Sequence, residues 1–178
     1  TACVECGALL HDLQEEAAAQ GLLYAPDPTE SYCFIGATIS NNSSGARSFK
    51  YGATRKYVKR LKIALAGGEI LEIKRGEIFA DDNGIFRATL ASGKTLEFAR
   101  PNYEMPTTSK HTAGYFSAPN MDLIDLFIGS EGTLGFILEA DLELLPMPEK
   151  IIGVLVYFSD KNDVIRFVDE ARERSQKA

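Results

Sequence analysis

Hydrophobic positions recur with two periods along this chain, and the switches between the periods mark its elements. Residues 2–6 form a short apolar run that predicts a strand, ended by Gly7. Leu9, Leu10, Leu13, Ala17 and Ala18 then follow helical spacing, and Gly21 stands where a glycine after a helix belongs. Leu22-Leu23-Tyr24 leads into Pro26-Asp27-Pro28, which cannot be helical. Leu61, Ile63 and Leu65 alternate with Arg60, Lys62 and Ala64, so this segment predicts a strand with one buried face. Gly67-Gly68 turns it into a partner, Ile70 to Lys74. Phe86–Leu90 and Thr95–Phe98 predict two more short strands joined by Ala91-Ser92-Gly93-Lys94, with Asp82-Asn83-Gly84 as a turn before them. Met121 to Phe127 predicts a short helix capped by Asn120. Leu138, Ala140, Leu142 and Leu144 alternate with Glu139, Asp141 and Glu143 in a strand that starts near Phe136.

Two stretches lack strong periodicity. Residues 29–57 are rich in Gly, Ser, Asn and Thr, with room for a short helix near 37–42. Long irregular stretches in compact domains are usually functional or disordered, and Tyr32, Phe34, Ile35, Phe49 and Tyr51 argue against disorder here. Residues 100–120 carry three prolines and the segment Lys110-His111-Thr112-Ala113-Gly114-Tyr115. Past Pro146-Met147-Pro148 the chain reads as a linker. Ile151–Phe158 then predicts a strand, and Ser159 caps a helix bearing Val164, Ile165, Phe167, Val168 and Ala171. This last unit reads as the opening of another domain.

Composition narrows the function classes. With 178 residues the chain can build one domain or two small subdomains with a real core. A net charge of -6 disfavours nucleic acid and anionic membranes as partners. No apolar run approaches the ~20 residues that span a bilayer. No signal or transit peptide is visible, and a start on Thr1 suggests a fragment or a processed chain. The sparse cysteines Cys3, Cys6 and Cys33 suit a reducing compartment. Cys3-Val4-Glu5-Cys6 has the spacing of a zinc knuckle or a redox pair. The other candidate ligands, Cys33, His11 and His111, lie at no matching spacing, and residues three apart on a strand point to opposite faces, so the pair reads as accidental.

The chemistry concentrates in a few glycine-bearing segments. Gly129-Ser130-Glu131-Gly132-Thr133-Leu134-Gly135 lies between an apolar segment and the alternating strand, and such glycines let backbone approach a ligand or take φ > 0. Gly36-Ala37-Thr38-Ile39-Ser40-Asn41-Asn42-Ser43-Ser44-Gly45 offers amides and hydroxyls without charge, which suits a neutral ring system or phosphate oxygens. It has neither the lysine of a nucleotide P-loop nor the glycine spacing of a Rossmann fingerprint. A self-capping Ser/Asn loop explains this block equally well on its own. The run Arg55, Lys56, Lys59, Arg60 and Lys62 reads as a solvated face.

Taken together, Gly21–Pro28, Ile35–Gly45, Lys50-Tyr51-Gly52, the hairpin from Val58 and Asp125–Ala140 resemble the FAD-linked oxidase family. Its flavin domain is the PCMH-type or vanillyl-alcohol oxidase domain, and the D-lactate/glycolate and 2-hydroxyglutarate dehydrogenase branch is the most similar. The resemblance implies an α+β fold: the second subdomain of a PCMH-type FAD-binding domain, mainly antiparallel sheet flanked by helices. Residues 1–148 would be that domain without its N-terminal subdomain, and 149–178 the start of the substrate or cap domain. It implies FAD as cofactor, a small 2-hydroxy acid as substrate, hydride transfer to the flavin and a separate electron acceptor. With the charge balance and the short apolar runs, the expectation is no nucleic-acid partner, no transmembrane segment and a location in the cytoplasm or at a membrane periphery.

Carried over by residue, Pro26, Asp27 and Pro28 would lie on a loop near the flavin. Gly36, Ala37, Asn41, Ser44 and Gly45 would line the ring and the ribityl–pyrophosphate path, and Glu131, Gly132, Gly135 and Ile137 would contact the nucleotide portion. The 110–115 segment offers Lys110, His111 and Tyr115 as contacts, against the plainer reading of a solvated loop histidine. No residue is assigned as catalytic or metal-ligating. The family's glycine-rich pyrophosphate loop and metal histidines have no counterpart here, Lys56 replaces a frequent Asp, and Ala66-Gly67-Gly68 replaces an Asp-Gly turn. Two other readings are an alkyl-glycerone-phosphate synthase-like transferase and a non-catalytic piece that does not hold FAD alone.

Overall fold

The computed structural model describes residues 1–108 and 110–175 and divides them into two compact units, Thr1–Met147 and the segment from Pro148 onward. The first unit contains β1 (Ala2–Glu5), α1 (Leu10–Ala19), β2 (Leu22–Leu23), α2 (Ile35–Ser40) and α3 (Ser48–Tyr51). A single 3-10 turn (Thr54–Tyr57) leads into β3 (Val58–Ala64), β4 (Ile70–Lys74), β5 (Ile85–Thr89), β6 (Thr95–Ala99), α4 (Ile124–Phe127), β7 (Phe136–Leu142) and β8 (Leu145–Pro146). The second unit carries α5 (Lys161–Ser175).

An antiparallel four-stranded sheet in the order β1-β7-β3-β4 is the frame. β5–β6 and β2–β8 are separate two-stranded pairs. Helix and antiparallel sheet are mixed as the α+β reading expects. The helical spacing at Leu10, Leu13 and Ala17 becomes the buried face of α1. Leu10 and Leu13 join Ile35 and Ile39 of α2, Leu61 and Ile63 of β3, Leu71 and Ile73 of β4, and Ala140 and Leu142 of β7 in one core. Tyr24 and Tyr57 meet edge to face within it, with ring centroids 6.1 Å apart.

The alternation in β7 breaks at one point. Lys62 faces Glu139, but Ile63 faces Ile137, so Leu138 is the extra residue of a bulge. The bulge turns Ile137 into the core at 5% exposure, where strict alternation points Leu138 inward. A sequence period of two carries no mark of such an insertion.

Charges line the other face of β3 and β7. Lys62 pairs with Glu139 at 2.8 Å, Arg60 with Asp141 at 3.0 Å and Lys59 with Glu143 at 2.7 Å. Here Lys59, Arg60 and Lys62 of the basic run form cross-strand ion pairs and not a freely solvated face.

Three further expectations are corrected. Ile151–Phe158 forms no strand, because no described segment supplies the ladder partner its backbone needs. The helix after it is capped by Asp160, whose carboxylate accepts the Asn162 N–H at 2.7 Å, and Ser159 lies outside it. The 121–127 helix shrinks to one turn, α4. Asn120 takes a left-handed φ of 50°, and Asp122 instead accepts the N–H groups of Gly76 at 2.6 Å and Ile124 at 3.4 Å.

Cys3 is exposed and Cys6 is buried. Burial, aided by the Glu139 carboxylate, pushes the Cys6 thiol up to about 12. Iodoacetamide at pH 8 is therefore expected to alkylate Cys3 in the folded protein and to spare Cys6 until urea is added, as peptide mass spectrometry can show. The hydrogen bond from Lys62 holds Glu139 below its ordinary value, and that from Arg60 does the same for Asp141. A depressed folded-state value stabilises above the unfolded value and is lost as pH falls through the folded one. The ladder's contribution should thus disappear below about pH 4. Arg60→Gln should reduce the loss of stability on acidification, measured by urea titrations from pH 7 to pH 3.

Candidate functional site

The site is built on α2 and the loop that leaves it. Thr38 and Ile39 anchor the helix in the core, and the Thr38 hydroxyl donates back to the Ile35 carbonyl at 2.8 Å. The N–H groups of Ile35 and Gly36 donate to the carbonyls of Ala8 and Cys6, both at 2.9 Å, which ties the helix start to the end of β1. Ala37 and Asn41 lie on the exposed side. The chain then turns at Asn42, with φ of 46°. Ser43 receives the N–H of Thr54 at 3.0 Å and its hydroxyl at 2.8 Å.

Half-buried Ser44 leads into Gly45, where two loops touch. A Cβ on Gly45 would lie 1.6 Å from the Asp27 carbonyl oxygen, so no other residue fits without parting the loops. Ala46 N–H donates to that same oxygen at 3.2 Å, and Arg47 pairs with the Asp27 carboxylate at 3.3 Å. Gln14 of α1 holds the Pro26 carbonyl at 3.1 Å. The Pro26–Pro28 loop is thereby seated on residues 45–47.

The Gly129–Gly135 turn closes against the other end of α2. Gly129 N–H donates to the Ile39 carbonyl at 3.0 Å, and Glu131 N–H donates to the Ser40 carbonyl at 2.8 Å. These bonds satisfy carbonyls that the helix end leaves free. Gly129 at φ 86° and Gly132 at φ 75° shape the turn, and the Cβ direction of Gly132 opens onto free space. Glu131 is exposed at the tip. Gly135 packs against Ile63 and Ala64 of β3. On the far side, Tyr115 and Thr133 share a hydroxyl hydrogen bond of 2.6 Å. There an apolar cavity of about 440 Å³ lies between Leu126, Phe127 and Leu134 and the β5–β6 hairpin.

One charged group joins these parts. The Arg55 guanidinium donates to the carbonyls of Asp125 and Ile128 and pairs with the Asp125 carboxylate at 3.1 Å. Arg75 grips the other side of that carboxylate at 3.0 and 3.1 Å. Phe116 covers the Arg55 guanidinium, 4.5 Å from its ring centre. Burial pulls the Arg55 guanidinium below its ordinary value, and Asp125 opposes that pull. Arg55 is therefore an internal tie, not part of a solvated face. Lys56 stays exposed.

The structure thus gathers Pro26–Pro28, residues 36–45 and the 129–135 turn into one contiguous surface. Ile137 stands apart, with its side chain in the core. His111 is partly covered, and its Nδ1 is buried without a hydrogen-bond partner among the described residues. Sequence reasoning misses Arg55, Asp125 and Arg75 as a unit. Asp125 belongs to the motif already singled out, but the arginines are 20 residues apart and no local period links them.

Comparisons with known proteins bear on this surface. Residues 1–74 match a family described as FAD binding domain. The chain is 32% identical over 167 residues to D-lactate dehydrogenase of Anaerostipes hadrus, covering 94% of this chain and 27% of that one. It is 35% identical over 150 residues to glycolate oxidase subunit GlcD of Bacillus subtilis (strain 168), covering 84% and 24%. An alkyldihydroxyacetonephosphate synthase structure superposes with a TM-score of 0.53 at 21% identity, over 83% of this chain and 20% of that one. That likeness shows the fold. The chain spans about a quarter of the length of these curated relatives. Among the described residues, no helix is long and apolar enough to cross a membrane.

The two glycine environments predict different costs. Gly45→Ala should destabilise the protein by about 3 kcal/mol, because backbone must move to admit the methyl group. Gly132→Ala, which meets only an unfavourable φ, should cost about 1 kcal/mol. Urea denaturation of both variants without added FAD checks the order.

Proposed function

The chain belongs to the FAD-linked oxidase family, and from that premise we propose that it supplies one wall of the cofactor site in an FAD-dependent 2-hydroxy-acid oxidoreductase of D-lactate or glycolate type. The observation that carries this reading is the pair of backbone bonds from Gly129 and Glu131 to Ile39 and Ser40. They join two glycine-bearing motifs, the uncharged 36–45 block and the turn bearing Glu131, into a surface with Asn41 exposed at its edge and open space before Gly132. This donor chemistry suits FAD. The hydroxyls and amides of residues 40–44 can bind ring or phosphate oxygens without adding a fixed charge.

In this reading Pro26, Asp27 and Pro28 shape the loop beside the ring, and Gly36, Ala37, Asn41, Ser44 and Gly45 line the ribityl–pyrophosphate path. Glu131, Gly132 and Gly135 face the nucleotide, and Ile137 supports the turn from the core. Bound FAD would supply the two-electron acceptor for oxidising a 2-hydroxy acid to a 2-oxo acid. The chain's own residues bind and orient. The electrons pass on to a separate acceptor, and residues 149–178 open the substrate or cap domain. The names of the relatives, D-lactate dehydrogenase, glycolate oxidase subunit and D-2-hydroxyglutarate dehydrogenase, support a small 2-hydroxy acid as substrate.

The test uses the complete polypeptide that carries this chain. After reconstitution with FAD it should show flavin absorbance bands, which D-lactate, glycolate or D-2-hydroxyglutarate should bleach without oxygen. Missing bands would sink the cofactor assignment. Bands that none of the three acids bleaches would sink the substrate class and favour a reaction without net oxidation.

A further inference from the structure

We propose that Arg55 is the positioning residue of the Gly129–Gly135 turn, and that it thereby sets the two halves of the wall against each other. Its reach is the argument. The Arg55 N–H donates to the Asn42 side chain at 2.9 Å, on the loop leaving α2. Its guanidinium donates to the Ile128 carbonyl, immediately before the turn, and to the Asp125 carbonyl one turn of helix earlier. A Cβ on Gly129 would stand 3.4 Å from the same guanidinium and 3.3 Å from the Asn42 side chain. Backbone and side chain of one residue therefore fix the spacing between the two motifs.

Arg75 supplies an internal control. It shares the Asp125 carboxylate and also donates to the carbonyls of Val58 and Arg55, at 2.9 and 3.1 Å. None of its hydrogen bonds goes to the turn. Loss of either arginine weakens the ion pair, but only loss of Arg55 strips the donor from Ile128. A lysine cannot replace it, because one ammonium cannot span a carboxylate and two carbonyls as a planar fork does.

The test follows amide hydrogen exchange in the complete protein without FAD. Arg55→Gln should speed exchange at Gly129 and Glu131 by about tenfold or more while Leu61 to Ile63 keep wild-type rates. Arg75→Gln should lower the denaturation midpoint yet leave Gly129 and Glu131 protected. If Arg55→Gln does not fold, Arg55→Lys decides, and it should show the same local loss. Wild-type protection at Gly129 in the folded Arg55 variant, or equal loss in Arg75→Gln, overturns the assignment.

A second arm rests on the flavin reading above. FAD affinity should fall about tenfold in the Arg55 variant and stay unchanged in Arg75→Gln. A wild-type protein that binds no FAD defeats the flavin reading alone, and the exchange arm still decides the role of Arg55.

Discussion

Asp125 stands between two guanidinium groups, 3.1 Å from that of Arg55 and 3.0 Å from that of Arg75, at 14% exposure. Three charges brought this far out of water persist because both guanidinium groups share one carboxylate and also donate to backbone carbonyls. Arg55 also holds two carbonyls at the end of α4, and Arg75 holds the Val58 carbonyl at the start of β3. Removing one partner of such a buried pair typically costs about 3–5 kcal/mol, against about 0–1 kcal/mol for an exposed pair. The knot therefore outweighs any single rung of the Lys62–Glu139 ladder on the sheet surface. Within the knot only Arg55 reaches the glycine turn, through the Ile128 carbonyl that precedes it.

The other device in the site is close backbone packing. Where Gly45 passes the Asp27 carbonyl, two loops approach more closely than any side chain allows. A glycine whose missing side chain is replaced by neighbouring backbone serves the protein first. It makes the surface rigid enough to present hydroxyls and amides in fixed positions, which is what binding a large cofactor requires. Gly132 is different, because its open side faces free space. One type of residue thus has two functions here, and only its surroundings tell them apart.

Much of the architecture was legible in the chain. The α1 periodicity, the β3–β4 hairpin, the β5–β6 pair and the approximate limits of α2 follow from local pattern, because their signals lie within a few residues. The glycine-bearing segments were legible as a set for the same reason: runs dense in glycine, amides and hydroxyls depart from any core or surface pattern. The Leu138 bulge, the Asp122 bond to Gly76, the cap at Asp160 and the unformed strand at 151–158 were not. Each depends on which partner, if any, lies across from the segment, and neither period nor propensity encodes that.

By itself, the sequence determined the elements, the family resemblance and the residue types that could face a flavin. Burial of alternating apolar side chains dictates those choices residue by residue. Only the tertiary structure decided that Gly129 and Glu131 close on α2, that Ile137 turns inward, and that Arg55 leaves its basic neighbours to join Asp125 and Arg75. These outcomes come from long-range pairing. A buried charge must find its counter-charge and a helix end its missing donors, wherever in the chain those groups happen to lie.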